Sequence, residues 1–231
     1  TYYCGFKVNS GEYKLMGLAP YGNPIYLKKI KDKIIDIKED GTFNLNMDYF
    51  KYHRGFRMTS KKFHKLFGSS PRKVDEELTQ FHMNLASSIQ ALTEEIILKI
   101  TNSLRKETGI KKICLSGGVA LNCVANGKLL KEKIFDDIWI QPASGDAGSS
   151  LGAALIGWYE NLNGTRKINP DDSMKGSYLG CSFSNKEIIS YLREIKAPFK
   201  EYKDEKLFKK IALMLKEGKV IGWFNGPMEF G

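Results

Sequence analysis

A chain of 231 residues can hold one large domain, or a medium domain with part of another, around a sizeable core. With 42% hydrophobic and 27% charged residues it has the composition of an ordinary globular protein, and no stretch approaches the ~20 apolar residues that span a bilayer. The net charge of +10 raises nucleic acid as a partner, but the lysines of KKIKDKIID, KLLKEKIFDD and LFKKIALMLKEGK stand beside acids at helical spacing, as on a solvated face. Nucleic acid and membrane are therefore not the expected partners, whereas an anionic small substrate would suit this field.

The start TYYCGFKVNSGEYKLMG lacks the basic-then-apolar pattern of a secretory leader, which predicts a cytoplasmic protein. Cys4, Cys114, Cys123 and Cys181 form no CxxC pair, so neither zinc nor a disulfide framework is indicated. Cys114 sits in an apolar run, where a small buried hydrophobe is expected.

Taken in order, Asn23 to Lys38 repeats Ile and Leu at three-to-four spacing and predicts an amphipathic helix with Pro24 at its first position. EDGTFNLNMDYF carries a turn and a short alternating strand. An irregular basic segment follows, with Arg54, Arg57, Lys61, Lys62 and Arg72 on a solvated loop and a short helix at Lys61 to Leu66. From Val74 to Thr108 the apolar spacing predicts the longest helix, ended by Gly109.

KKICLSGG is an apolar strand running into a double glycine, VALNCVANGKLLKEK a helix, IFDDIWIQP a second strand, and SGDAGSSLGAALIGWYENL a glycine turn with another helix. Strand, glycine turn and helix, twice over, predict a parallel α/β sheet with both turns facing one crevice. NLNGTRKINPDDSMK reads as a linker, followed by a helix with a Ser184–Glu187 capping box, a helix over DEKLFKKIALMLKEGK, and a strand at VIGWFNG.

Several residues carry chemistry. At Ser116-Gly117-Gly118 the backbone can approach a ligand closely and offer amides to a nucleotide or phosphate; a plain tight turn is the equal alternative, since neither GK[ST] nor GxGxxG is present. Asn122 could bond a base, ribose or carbonyl, or cap its helix. Asp146, between Gly145 and Gly148, could cap a helix or be held at the sheet edge to bind a metal or polarise a substrate. In GEYKLMGLAPYG, Glu12 and Lys14 could form a surface pair or bring an acid and a base to a site. His53, His64 and His82 have no metal-binding spacing and read as structural or surface residues.

Together GEYKLMGLAPYG, LSGGVALNCVANGKLL, IQPASGDAGSSLGAAL, YLGCSFSNKEI and VIGWFNGPMEFG, in this order, resemble the NodU/CmcH family of O-carbamoyltransferases. The resemblance implies an α/β protein with an actin/Hsp70-like (ribonuclease H-like) ATPase subdomain, a mixed sheet flanked by helices, and the beginning of an α/β YrdC-like domain. Residues 1–172 would be the C-terminal part of the ATPase-like carbamoyl-transfer domain and 173–231 the start of an incomplete YrdC-like domain. Such an enzyme makes carbamoyl adenylate from ATP and carbamoyl phosphate, with Mg(2+) accompanying the ATP. It then transfers the carbamoyl group to a hydroxyl of a small molecule or sugar, with Fe(2+), or Mn(2+), near the reacting centre.

Matched by motif, Asp146 corresponds to the family's metal-binding, catalytic aspartate. Gly117, Gly118 and Asn122 correspond to its adenylate-binding turn, and Glu12 and Lys14 to its nucleotide-contacting segment. The family's metal-binding HxxxH and its PRALG motif are absent here, and Pro227 replaces a basic residue, so the chain is expected to be an inactive piece of its parent. A homodimer is compatible with the family. The rival readings are a threonylcarbamoyl-type tRNA-modifying enzyme and a non-catalytic nucleotide-binding module.

Overall fold

The computed structural model describes residues 1–169, 171–172 and 174–229. Contacts divide the chain into two compact units, Thr1–Asp146 and Ala147–Gly231. Helices α1 (Glu12–Leu18), α2 (Leu27–Lys33), α3 (Lys61–Phe67), α4 (Gln80–Thr108) and α5 (Cys123–Glu132) lie in the first unit. So do strands β1 (Ile35–Ile37), β2 (Phe43–Leu45), β3 (Lys112–Leu115) and β4 (Asp137–Ile140). The second unit holds α6 (Ser149–Ile156), α7 (Asn185–Glu194) and α8 (Asp204–Lys216).

α4 is the spine of the first unit. Thr79 and His82 form a capping box at its start, and Gly109, at φ 67°, stops it in the left-handed region that disfavours side chains. The helix starts at Gln80, six residues later than the apolar spacing predicts. One face buries Leu85 and Leu92 against Tyr3, Ile30, Ile34, Tyr49 and Phe67. Ala86, fully buried, packs under Leu18 and Ala19.

The polar residues that α4 buries dock the preceding loop. Asn23 N–H donates to Asn84 Oδ1 at 2.8 Å, and Tyr26 N–H donates to Ser88 Oγ at 3.1 Å. A methyl group on Gly22 would run into the Met83 carbonyl. GLAPYG is therefore shaped by this close approach to α4.

The single helix expected over Asn23 to Lys38 is instead α2 followed by β1, which pairs antiparallel with β2 in the register Ile35↔Leu45 to Ile37↔Phe43. Ile34 and Ile35 both reach the core, and the chain from Ile35 gains a strand partner in β2 that the helical repeat does not show. Pro24 precedes α2, its carbonyl accepting from Leu27 N–H.

β3 and β4 pair in parallel from Lys112↔Asp137 to Leu115↔Ile140, with α5 as the crossover, and Gln141 N–H extends the ladder to Leu115 O. The turns that leave the two strands are side by side at their carboxyl ends. Ile113 packs with Leu129 and Phe135. Alternation turns Cys114 and its partner Trp139 to the other face, where both are exposed; the expectation of a buried Cys114 is corrected by that register.

In the second unit Ser184 and Glu187 form the expected capping box. α6 runs on as a π turn over Gly157–Asn161. The strand expected at Val220 to Gly226 is not formed, since among the described residues no neighbouring strand satisfies its backbone. Backbone bonds instead join Gly180 N–H to Met228 O and Met228 N–H to Cys181 O, so YLGC meets the start of MEFG. Phe230 and Gly231 of that motif, and Pro170 and Ser173 of the expected linker, lie outside the described residues. The structure shows a mixed α/β chain with small sheets.

Candidate functional site

The two glycine turns open onto one cleft of about 570 Å³ in the first unit. Gly118, Val119, Leu121 and Asn122 line it from the turn after β3, Gly145 and Asp146 from the turn after β4. Glu12 and Tyr13 of α1, and Ile89, Gln90 and Thr93 of α4, close its other walls. The parallel pairing of β3 with β4 is what puts Gly118 and Asp146, distant in sequence, on one rim.

Gly117 adopts φ 97°, a conformation that side chains rarely take. A Cβ built on Gly118 or Gly145 meets no protein atom within 4 Å, so these residues border open space rather than a packed backbone.

Asp146 is exposed at the rim. It is not the cap of the helix that follows: that position belongs to Gly148, and no side chain caps α6. Glu12 opens α1, and its Oε1 accepts from Asn9 N–H at 3.0 Å, which steadies the carboxylate. Lys14 does not line the cleft; its ammonium lies 5.9 Å from the centre of the Tyr13 ring. The acid and base that the sequence places two residues apart thus have different surroundings.

Asn122 is the N-cap of α5, its Oδ1 accepting from Ala125 N–H at 3.0 Å. It is also paired with Gln90, which no sequence motif pointed to. Gln90 Nε2 donates to Asn122 Oδ1 at 3.1 Å, and Asn122 Nδ2 donates to Gln90 Oε1 at 2.9 Å. No signal in the sequence set Gln90 apart, since the same helix also buries Asn84 and Ser88.

The walls carry two carboxylates, Glu12 and Asp146, and no Lys, Arg or His side chain. The overall positive charge is therefore not gathered here. Such walls suit hydroxyl- and amine-bearing groups better than phosphates.

Two histidines make contacts within the fold. His82 Nδ1 accepts from Thr79 N–H at 3.1 Å, and His64 Nε2 lies 2.9 Å from Thr59 Oγ1. Burial holds both below the usual imidazole range, with Arg57 near His64 and Arg72 near His82 adding repulsion. Arg72, expected on a solvated loop, donates from Nε to Cys4 O at 2.7 Å.

Among the described residues no three His, Cys, Asp or Glu side chains converge as a metal site. The residues present do not fit an iron ion by themselves, because the two wall carboxylates, Glu12 and Asp146, leave most of its coordination open.

Residues 1–155 match the family described as Carbamoyltransferase N-terminus. The chain is 54% identical to the uncharacterised protein sll1178 of Synechocystis, over 100% of this chain and 38% of that protein. It is 32% identical to the nodulation protein NolO of Bradyrhizobium diazoefficiens, over 95% of this chain and 38% of that protein. It is also 32% identical to the nodulation protein NolNO of Sinorhizobium fredii, over 95% of this chain and 30% of that protein. The chain belongs to the carbamoyltransferase N-terminus family, a family of transferases. It spans between 30% and 38% of the length of these relatives. No helix among the described residues is long and apolar enough to cross a membrane.

Proposed function

We propose that this chain is part of an O-carbamoyltransferase that makes carbamoyl adenylate from carbamoyl phosphate and ATP and passes the carbamoyl group to a hydroxyl of a small molecule or sugar. The observation that carries the reading is the convergence of both glycine turns and Glu12 on one cleft, in a chain of this family. The finer assignments, an actin/Hsp70-like subdomain over 1–172 and the start of a YrdC-like domain over 173–231, belong to the same proposal.

In the transfer step the acceptor hydroxyl oxygen attacks the carbamoyl carbon, the bond from that carbon to the adenylate oxygen breaks, and AMP leaves. The hydroxyl proton goes to a nearby base or to water. This chain's share is to bind and orient. The glycine turn lets the nucleoside lie close to the backbone at Gly118. Glu12 accepts from ribose hydroxyls through the oxygen that Asn9 does not occupy, and Asn122 donates to an acceptor atom of the nucleoside.

Asp146, on the rim it shares with Gly118, accepts a hydrogen bond from the incoming hydroxyl, or from the carbamoyl NH2, and so aligns the reactants.

In the intact protein, Asp146→Asn keeps the shape and removes the acceptor charge. Transfer should fall on the order of 10²-fold, while acceptor-independent, carbamoyl-phosphate-dependent pyrophosphate release from ATP stays within a few-fold. Absence of that release in the wild-type protein, or equal loss of both steps in the variant, would refute the reading.

A further inference from the structure

We infer that Gln90 is a positioning residue of the cleft: it holds the Asn122 side chain so that an N–H, and not the carbonyl oxygen, is what a ligand meets. The inference rests on the nucleotide reading above and concerns a residue that reading does not use.

Gln90 is buried, at 9% exposure, and reaches Asn122 from α4 while Asn122 caps α5. The two amides exchange both possible bonds, at 3.1 and 2.9 Å. A reciprocal amide pair could in principle exist with both amides turned over, but each is fixed by a group with only one role. Ala125 N–H can only donate, so the Asn122 atom 3.0 Å from it is Oδ1. The Glu94 carboxylate accepts, so the Gln90 atom 2.9 Å from its Oε1 is Nε2. Glu94 is held in turn by Lys128 of α5, whose ammonium lies 3.3 Å from Oε2.

Counting donors and acceptors then decides what remains. Asn122 Oδ1 accepts from Ala125 N–H and from Gln90 Nε2, which uses both of its lone pairs. Asn122 Nδ2 spends one hydrogen on Gln90 Oε1 and has one left. The Asn122 side chain therefore offers a donor only, and it selects a ligand acceptor such as a carbonyl oxygen, a ring nitrogen or an ether oxygen. The carboxylates of Glu12 and Asp146, which also line the cleft, select donors. The wall thus discriminates by the order of donors and acceptors along a neutral group rather than by charge.

The test measures ATP affinity of the intact protein by calorimetry, with melting temperature recorded beside it. Asn122→Ser retains a good helix cap but removes the amide donor. Gln90→Met keeps the volume and removes both bonds to Asn122. Each should weaken ATP binding by about fivefold. The double variant should bind no more weakly than Asn122→Ser alone, because Gln90 acts through Asn122. A purely structural Gln90 would lower the melting temperature and leave affinity within twofold; that result, or a full further loss in the double variant, overturns the inference.

Should Gln90→Met fail to fold, Gln90→Glu combined with Glu94→Gln keeps the shape and a hydrogen bond between positions 90 and 94 while removing the donor to Asn122, and should weaken ATP in the same sense. If the wild-type protein does not bind ATP, the nucleotide reading fails, and the positioning role is decided by crystal structures of wild type and Gln90→Met. A displaced Asn122 amide then supports it and an unmoved one overturns it.

Discussion

Thr1–Asp146 and Ala147–Gly231 are built on different terms. The first unit buries three hydrophobic clusters, organised along α4 and under β3. In the second, Ser177 alone is buried among the described residues, although α7 and α8 are well-formed helices. Ile188, Tyr191, Phe208 and Leu213 of these helices are exposed, and none of their other apolar residues is fully buried. Helical form in the second unit thus follows from local signals, a capping box and good helix formers, whereas in the first it is enforced by packing. The candidate site falls in the unit that has a core, where its wall residues can be held in place.

The largest expected effect that would break this contrast is a core truncation. Leu129 is fully buried with Ile113 and Phe135, so Leu129→Ala should cost about 3 kcal/mol in urea unfolding of the 231-residue chain, loosening the turn that carries Gly118. Leu213→Ala, at a side chain 60% exposed, should stay within about 0.5 kcal/mol. Equal losses would mean that the second unit has a core as consequential as the first.

A smaller effect sharpens the contrast from the other side. Ser184→Ala removes the cap of α7, whose Ser184 Oγ accepts from Glu187 N–H and whose Glu187 carboxylate accepts from Ser184 N–H. It should cost about 1 kcal/mol of α7 helicity, read as faster amide exchange confined to that helix.

The smallest expected effect concerns pH and belongs to the first unit alone. His64 and His82 are held below the usual imidazole value, chiefly by burial, so the folded chain takes up fewer protons than the unfolded chain. Stability is then fully present above the unfolded value near pH ~6.5 and is lost as pH falls from there through the folded values. The melting temperature should drop between neutral and mildly acidic pH. His82→Gln, which can keep the capping box, should flatten that dependence, and an unchanged slope would assign it elsewhere.

Much of this molecule could be read from local pattern. The long helix ending at Gly109, the helix opened by Ser184, and both strand–glycine–helix passages follow from capping residues, a left-handed stop and apolar spacing, all of which act within a few residues. β1 was hidden inside an apparently helical repeat, because Ile34 and Ile35 fit either period until Leu45 supplies a partner. Cys114 reads as buried in a one-dimensional apolar run, yet strand alternation sends it outward while Ile113 goes in.

The candidate site divides along the same line. That Gly118 and Asp146 share a rim was legible, since a parallel pair must present the carboxyl ends of its strands together. That Lys14 stands apart from the cleft while Glu12 lines it was not, because the rotation of α1 against α4 depends on Leu18, Ala19 and Ala86 packing closely. Nor was Gln90, 32 residues from Asn122, since amide pairing between helices leaves no mark on spacing.

By itself the sequence determined where the chain turns, which segments coil into helices, and the family to which residues 1–155 belong, because glycines, caps and motif order are local properties. Only the tertiary structure decided which side chains meet. Burial and hydrogen bonding between α1, α4 and α5 depend on how whole faces pack, and that packing sets a carboxylate, a donor-only amide and open glycine backbone around one cleft.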